Sequence, residues 1–141
     1  MQRGDYFVIP MEDGRLAISQ LIWLGSESEG HKFNKIFAFG VLSIGSDNNI
    51  PENNEYLMFK DHRGDFAVIF TSADKLKSGE WAILQAGPTH DSSLEELEFN
   101  MAGTLYKGGR PVRVLSFDEY QHHVLMGVSG YALVEKFLQQ Y

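Results

Sequence analysis

The chain opens with an apolar run, Tyr6-Phe7-Val8-Ile9, ended by Pro10 and a turn signal at Asp13-Gly14. Leu16–Trp23 follows and alternates polar with apolar residues for part of its length. Two such runs joined by a short polar connection predict paired strands over Tyr6–Ile9 and Leu16–Trp23. Gly25–Lys32 is polar and reads as a loop. Over Ile36–Ile44, Phe37, Phe39 and Val41 alternate with Ile36, Ala38, Leu42 and Ile44, which predicts a third strand. Gly40 in its middle marks a bulge, a sharp bend or a close backbone approach. Ser46–Asn54 carries Asn48-Asn49 and Pro51 and reads as a long loop. Tyr56–Phe59 and Phe66–Phe70 predict two short strands around a turn at Asp61–Asp65.

The period then changes. Thr71 or Ser72 can cap a short helix that Gly79 ends. Trp81–Leu84 reads as a strand, and Ser92–Leu97 fits either a helical turn or a strand edge. Gly108-Gly109, between Leu105-Tyr106-Lys107 and Arg110-Pro111-Val112, is a two-residue hairpin signal, with Pro111 placing the hairpin at an edge or at a strand start. Ser116-Phe117-Asp118-Glu119 has the spacing of a capping box. Beyond it, Tyr120, Val124 and Met126 are candidates for the core. Ser129 can cap a last helix, where Val134, Phe137, Leu138 and Tyr141 recur at helical spacing. The expected fold is α+β and mostly β: a strongly bent antiparallel sheet or an SH3-like partial barrel, with one or two C-terminal helices packed on it. Residues 1–141 are expected to form one domain, a length that can bury a core without staples.

Composition narrows the chemistry. There is no cysteine, so disulfides, thiolate metal sites and cysteine nucleophiles are excluded. No apolar run approaches the ~20 residues of a membrane helix, and no basic start precedes an apolar stretch, so a cytoplasmic protein is expected. The net charge of −7 is localised: Ser46–Phe59 and Pro88–Tyr106 together hold seven acids and no Lys or Arg, and the rest of the chain is balanced. The acids are Asp47, Glu52 and Glu55 in the first window and Asp91, Glu95, Glu96 and Glu98 in the second. That sign opposes phosphate binding and favours a basic partner. Acidic loops also serve solubility alone.

The candidate reaction centres are weak. His122 and His123 are adjacent and point about 100° apart on a helix, while Asp118 and His122 share a face. No third ligand stands at metal spacing. His90-Asp91 beside Ser92 and Ser93 does not have the geometry of a triad, because sequence neighbours rarely assemble one. Adjacent Glu95-Glu96 with Glu98 lacks the opposed placement of a glycosidase pair. No phosphate-binding glycine motif is present. Lys107, Arg110 and Arg113 form one basic cluster, which the overall acidity argues against as an RNA contact. Phe33, Phe37, Phe39, Phe59, Phe66 and Phe70 read as core. Tyr6, Trp23, Tyr56 and Tyr106 fit either a core edge or an interface anchor.

Gly4-Asp5-Tyr6-Phe7-Val8-Ile9-Pro10, with Asp13-Gly14-Arg15 and the apolar strand after it, resembles the opening of bacterial immunity protein family twenty-six of polymorphic toxin systems. A second patch, Leu76-x-x-Gly79-x-Trp81-x-Ile83, is similar to that family's helix end, glycine and strand-starting tryptophan. The resemblance covers about the first third of the chain and this short later patch. It implies a mostly-β protein without enzymatic activity that binds a cognate toxin domain and blocks its active site. The expected partner is basic, with nucleases one fitting class. The expected contacts are Asp47, Glu52, Glu55, Asp91, Glu95, Glu96 and Glu98. No catalytic residue, metal, cofactor, nucleic acid or membrane is expected, and the chain is expected to be a monomer. The alternative reading is an SH3-like adaptor that holds a peptide or ligand in an aromatic cleft.

Overall fold

The computed structural model describes residues 1–28, 32–52, 55–88 and 97–141. A five-stranded antiparallel sheet organises it. Its strands are β1 (Tyr6–Pro10), β2 (Leu16–Leu24), β3 (Ile36–Gly45), β6 (Ile69–Ser72) and β7 (Ile83–Gln85), in the order β6-β3-β2-β1-β7. β4 (Phe59–Asp61) and β5 (Gly64–Phe66) form a separate hairpin. β8 (Glu98–Met101), β9 (Thr104–Lys107) and β10 (Arg110–Val114) form a three-stranded sheet. α1 spans Asp74–Ser78, α2 spans Tyr131–Leu138, and a 3-10 helix covers Phe117–His122. The fold is α+β and mostly β, with a bent antiparallel sheet whose β2–β3 register shifts between Ile18 and Ser19 and between Leu21 and Trp23. Among the described residues no helix is long and apolar enough to cross a membrane.

The alternation along β3 explains the layering. Phe37, Phe39 and Val41 point into one core with Phe7, Ile9, Leu21, Ile69, Leu76, Trp81 and the α2 residues Val134, Phe137 and Leu138. Ala38 points the other way, into a second core of Ile22, Trp23, Phe33, Phe70, Phe99, Tyr106 and Met126. Successive side chains of a strand face opposite sides, so the sheet is buried on both. Helix α2 and the β4–β5 hairpin cover one face; β8 and β9 cover the other. The opening strand and the segment around Trp81 meet in the first core. Phe7 stacks on Trp81 with ring centroids 6.0 Å apart. Val8 N–H donates to the Ala82 carbonyl, and β1 pairs with β7 at Phe7 and Ile83.

An extended strap, Val124–Ser129, ties the sheets together. Asn100 N–H donates to the Val124 carbonyl, and Met126 N–H donates to the Asn100 carbonyl. Three residues on, Ser129 N–H donates to the Phe70 carbonyl, and the Thr71 hydroxyl donates to the Ser129 carbonyl at 2.7 Å. The strap therefore satisfies the outer edges of both β8 and β6, groups that would otherwise offer themselves to another chain.

Several boundaries differ from those expected. The expected strand at Tyr56–Phe59 survives only at Phe59, because Tyr56 turns its ring onto Gly40 and Leu57 N–H bonds the Val41 carbonyl. The turn closes at His62-Arg63, since the Asp61 carboxylate accepts the backbone and side-chain N–H groups of Arg63. The expected Phe66–Phe70 strand is split between β5 and β6. Trp81 is buried before its strand begins at Ile83. Ala73 rather than Thr71 or Ser72 occupies the α1 N-cap, although the Ser72 hydroxyl accepts Asp74 N–H. Gly130 replaces Ser129 at the α2 N-cap, because Ser129 is committed to the strap. Met126 is buried as expected, whereas Tyr120, Val124 and Tyr141 are exposed. The capping box at Ser116 and Glu119 is present, on the 3-10 helix.

The turn between β8 and β9 holds Ala102 at φ 52°. A left-handed backbone disfavours any side chain with a Cβ, and two-residue hairpins with both central residues left-handed favour Asn-Gly. Ala102→Asn is expected to stabilise the protein by about 0.5–1 kcal/mol, raising the melting temperature by roughly 2–4 °C. An unchanged or lowered melting temperature contradicts this.

Candidate functional site

Gln20 is the polar residue of β2 that hydrophobic patterning does not explain. It is 1% exposed, and a buried amide is stable only when its donors and acceptor are matched. Its Nε2 donates to the Gly4 carbonyl at 3.0 Å and to the Pro88 carbonyl. Its Oε1 accepts the Tyr56 hydroxyl at 2.8 Å. Burial, with Tyr6 nearby, pushes the Tyr56 phenol well above the ordinary tyrosine range, so it stays a neutral donor.

Two glycines make this knot possible. The Tyr56 ring lies where a Cβ on Gly40 would stand, 2.6 Å from its nearest atoms. The Tyr6 ring occupies the same position over Gly87. The close approach that Gly40 signals in the sequence is thus made by an aromatic ring. The expectation for Tyr6, Trp23, Tyr56 and Tyr106 resolves toward the core: Tyr6, Trp23 and Tyr106 are buried, and Tyr56 is half-buried in the knot.

The knot joins the two acidic windows. Tyr56 belongs to the Ser46–Phe59 window, and Pro88 begins the second. Gln20 therefore holds both windows at one point, though they are far apart in the chain. Asp47, Glu52 and Glu55 lie exposed in the connection between β3 and β4. The Asp47 carboxylate accepts Asn49 N–H at 3.0 Å, a local turn that fixes its direction. Glu98 is also exposed but sits on β8, opposite Lys107 and close enough to influence Arg113. Its charge is partly offset, unlike what its acidic sequence window suggests. Asp91, Glu95 and Glu96 lie outside the described residues, as do His90, Ser92 and Ser93.

The other candidates are dispersed by the fold. A 3-10 helix has about three residues per turn, so Asp118 and His122 do not share a face. His122 is exposed and His123 half-buried. No group of three or more His, Cys, Asp or Glu side chains able to hold a metal occurs among the described residues. In the basic cluster, Arg113 donates to the Glu119 carboxylate at 3.0 Å. β10 is the outer edge of its sheet, and Pro111, Arg110 and Arg113 are residues that discourage edge-to-edge pairing.

Three carboxylates, Asp13 exposed and Asp61 and Glu119 half-buried, are held in their ionised form by neighbouring arginines. The Arg113 side chain, with Ser116 N–H, lowers Glu119 to about 2. The Arg63 side chain lowers Asp61, and Arg15, chiefly through its backbone N–H, lowers Asp13. A carboxyl depressed in the fold stabilises it above the unfolded pKa and loses that contribution as pH falls toward the folded value. The cap at Ser116 is thus expected to open as pH drops from 4.5 toward about 2. The protection of Ser116 N–H from proton exchange, taken relative to the intrinsic rate at each pH, should fall over that window and stay constant between pH about 6 and 8; protection that is flat in acid contradicts it.

Comparison of the chain with protein-family models, with curated proteins and with solved structures finds no match.

Sequence reasoning missed Gln20 and the strap. The signal for Gln20 was present: one long polar side chain flanked by apolar residues in Ile18-Ser19-Gln20-Leu21-Ile22, where only the small Ser19 is also polar. The strap had no comparable signal.

Proposed function

We propose that this protein neutralises a bacterial toxin domain by binding it and covering its cationic active site with the two acidic segments. The observation that carries the reading is the shared anchor: Gln20 holds both Tyr56, near the end of the first acidic window, and Pro88, the first residue of the second. Concentrated negative charge raises the encounter rate with a positive cleft and penalises wrong partners. The core behind it is rigid and aromatic, which limits the ordering that binding requires. The resemblance of the opening strands and the Trp81 patch to an immunity-protein family supports the same reading. In this account the protein works by occupancy and turns nothing over. A stable complex would bury about 800 Å² on each partner.

This reading requires a secreted toxin encoded beside the protein, and the test is co-expression with the C-terminal domain of that toxin. Cells carrying both are expected to grow, and cells carrying the toxin domain alone to die. Death of both, with this protein present and folded, overturns the reading.

A further inference from the structure

A groove of about 650 Å³ opens where β5 and β6 meet the strap, away from any role assigned above. Its size is that of small-molecule sites. Its apolar lining includes Phe66, Val68, Tyr120 and Leu125. Two polar groups on its wall have unused donors.

The first is Asn100, 1% exposed. Its Oδ1 accepts Gly103 N–H at 2.9 Å, which fixes the orientation of the amide, since only the oxygen can accept. Nδ2 then finds no acceptor among the described residues, which is rare for so buried a group. The second is Arg63. Asp61 takes its Nε and Nη2, at 2.9 and 2.6 Å. This leaves Nη1 turned to the strap, 2.8 Å from where a Cβ on Gly127 would stand. The lack of a side chain at Gly127 makes room for the guanidinium. Asp65, the carboxylate on the groove, lies 4.0 Å from the Lys60 ammonium.

We propose that the groove binds a small amphipathic carboxylate with a second oxygen acceptor: the acid group meets Arg63 Nη1, the second oxygen meets Asn100 Nδ2, and an apolar body lies along Phe66, Tyr120 and Leu125. Arginine favours carboxylates through directed, charge-assisted hydrogen bonds. A buried amide donor discriminates strongly against ligands that leave it unpaired. Because the strap forms one wall, such a ligand also bridges the two sheets.

The probes are N-acetyl-L-phenylalanine, which has a carboxylate, an amide carbonyl and a ring, and its neutral primary amide. Titrations follow the amide spectrum of the full chain by NMR. The acid is expected to shift the Asn100 side-chain NH₂ and Gly127 N–H signals and to saturate below about 5 mM. The neutral amide, and the acid with Arg63→Gln, are expected to bind about tenfold more weakly. Arg63→Lys, which keeps the charge but not the fork, should fall between. If a variant does not fold, the wild-type shift map and the acid-to-amide ratio decide alone. Absence of saturation, shifts that miss Asn100 and Gly127, or equal binding of acid and amide overturns the proposal.

Discussion

Replacing Glu52 and Glu55 by lysine is expected to slow association with the cognate toxin domain by tenfold or more at low salt, an effect on the order expected for electrostatic steering. Both side chains are exposed in the connection that Tyr56 ties to Gln20, so the change should leave the core intact. The control is Asp74→Lys with Glu80→Lys, which alters the net charge equally at exposed positions around α1. If location matters, the control changes the rate by about twofold or less, and the difference fades as salt screens both. Equal slowing by the two pairs would mean that total charge, and not the placement of Glu52 and Glu55, steers the encounter. Stopped-flow measurement at several ionic strengths separates these outcomes.

The second large effect is on stability. Gln20→Leu keeps the volume but removes three hydrogen bonds, orphaning the Gly4 and Pro88 carbonyls and the Tyr56 hydroxyl. Buried groups left unmatched cost about 1–3 kcal/mol each, and Pro88 is exposed enough to recover water. A total loss of about 3 kcal/mol is expected. Tyr56→Phe removes one of the three bonds and should cost about 1 kcal/mol. Urea denaturation gives both values. A loss for Gln20→Leu no greater than for Tyr56→Phe would show that the amide does not hold the segments together.

Much of the sheet was legible because its signals are local. Asp13-Gly14 and Gly108-Gly109 specify their turns through backbone chemistry that needs no distant partner. The alternation of Phe37 and Phe39 with Ala38 sorts side chains between two cores. The capping box at Ser116 is complete within four residues. What could not be read depends on pairing across the chain. The strap is held by Phe70, Thr71 and Asn100, and its bond from Thr71 to Ser129 spans 58 positions. Nothing within Val124–Ser129 records those partners, so Val124 and Met126 read only as candidates for the core. β8 was hidden for a different, local reason: its turn uses Ala102, which carries no left-handed signal. The acidic windows were visible as composition. Their common root was not, because it rests on a glutamine side chain and on the two aromatic rings over Gly40 and Gly87. Arg63 and Asn100 likewise come together only because the strap passes between their hairpins.

The central claim is that the protein acts by staying bound. A titration of the toxin domain's activity with this protein, at toxin concentrations well above the dissociation constant, tests it most directly. The account predicts a linear fall to zero at one equivalent, with no further change on longer incubation. Progressive loss of toxin activity at a small fraction of an equivalent would mean that each molecule acts repeatedly, and would contradict it.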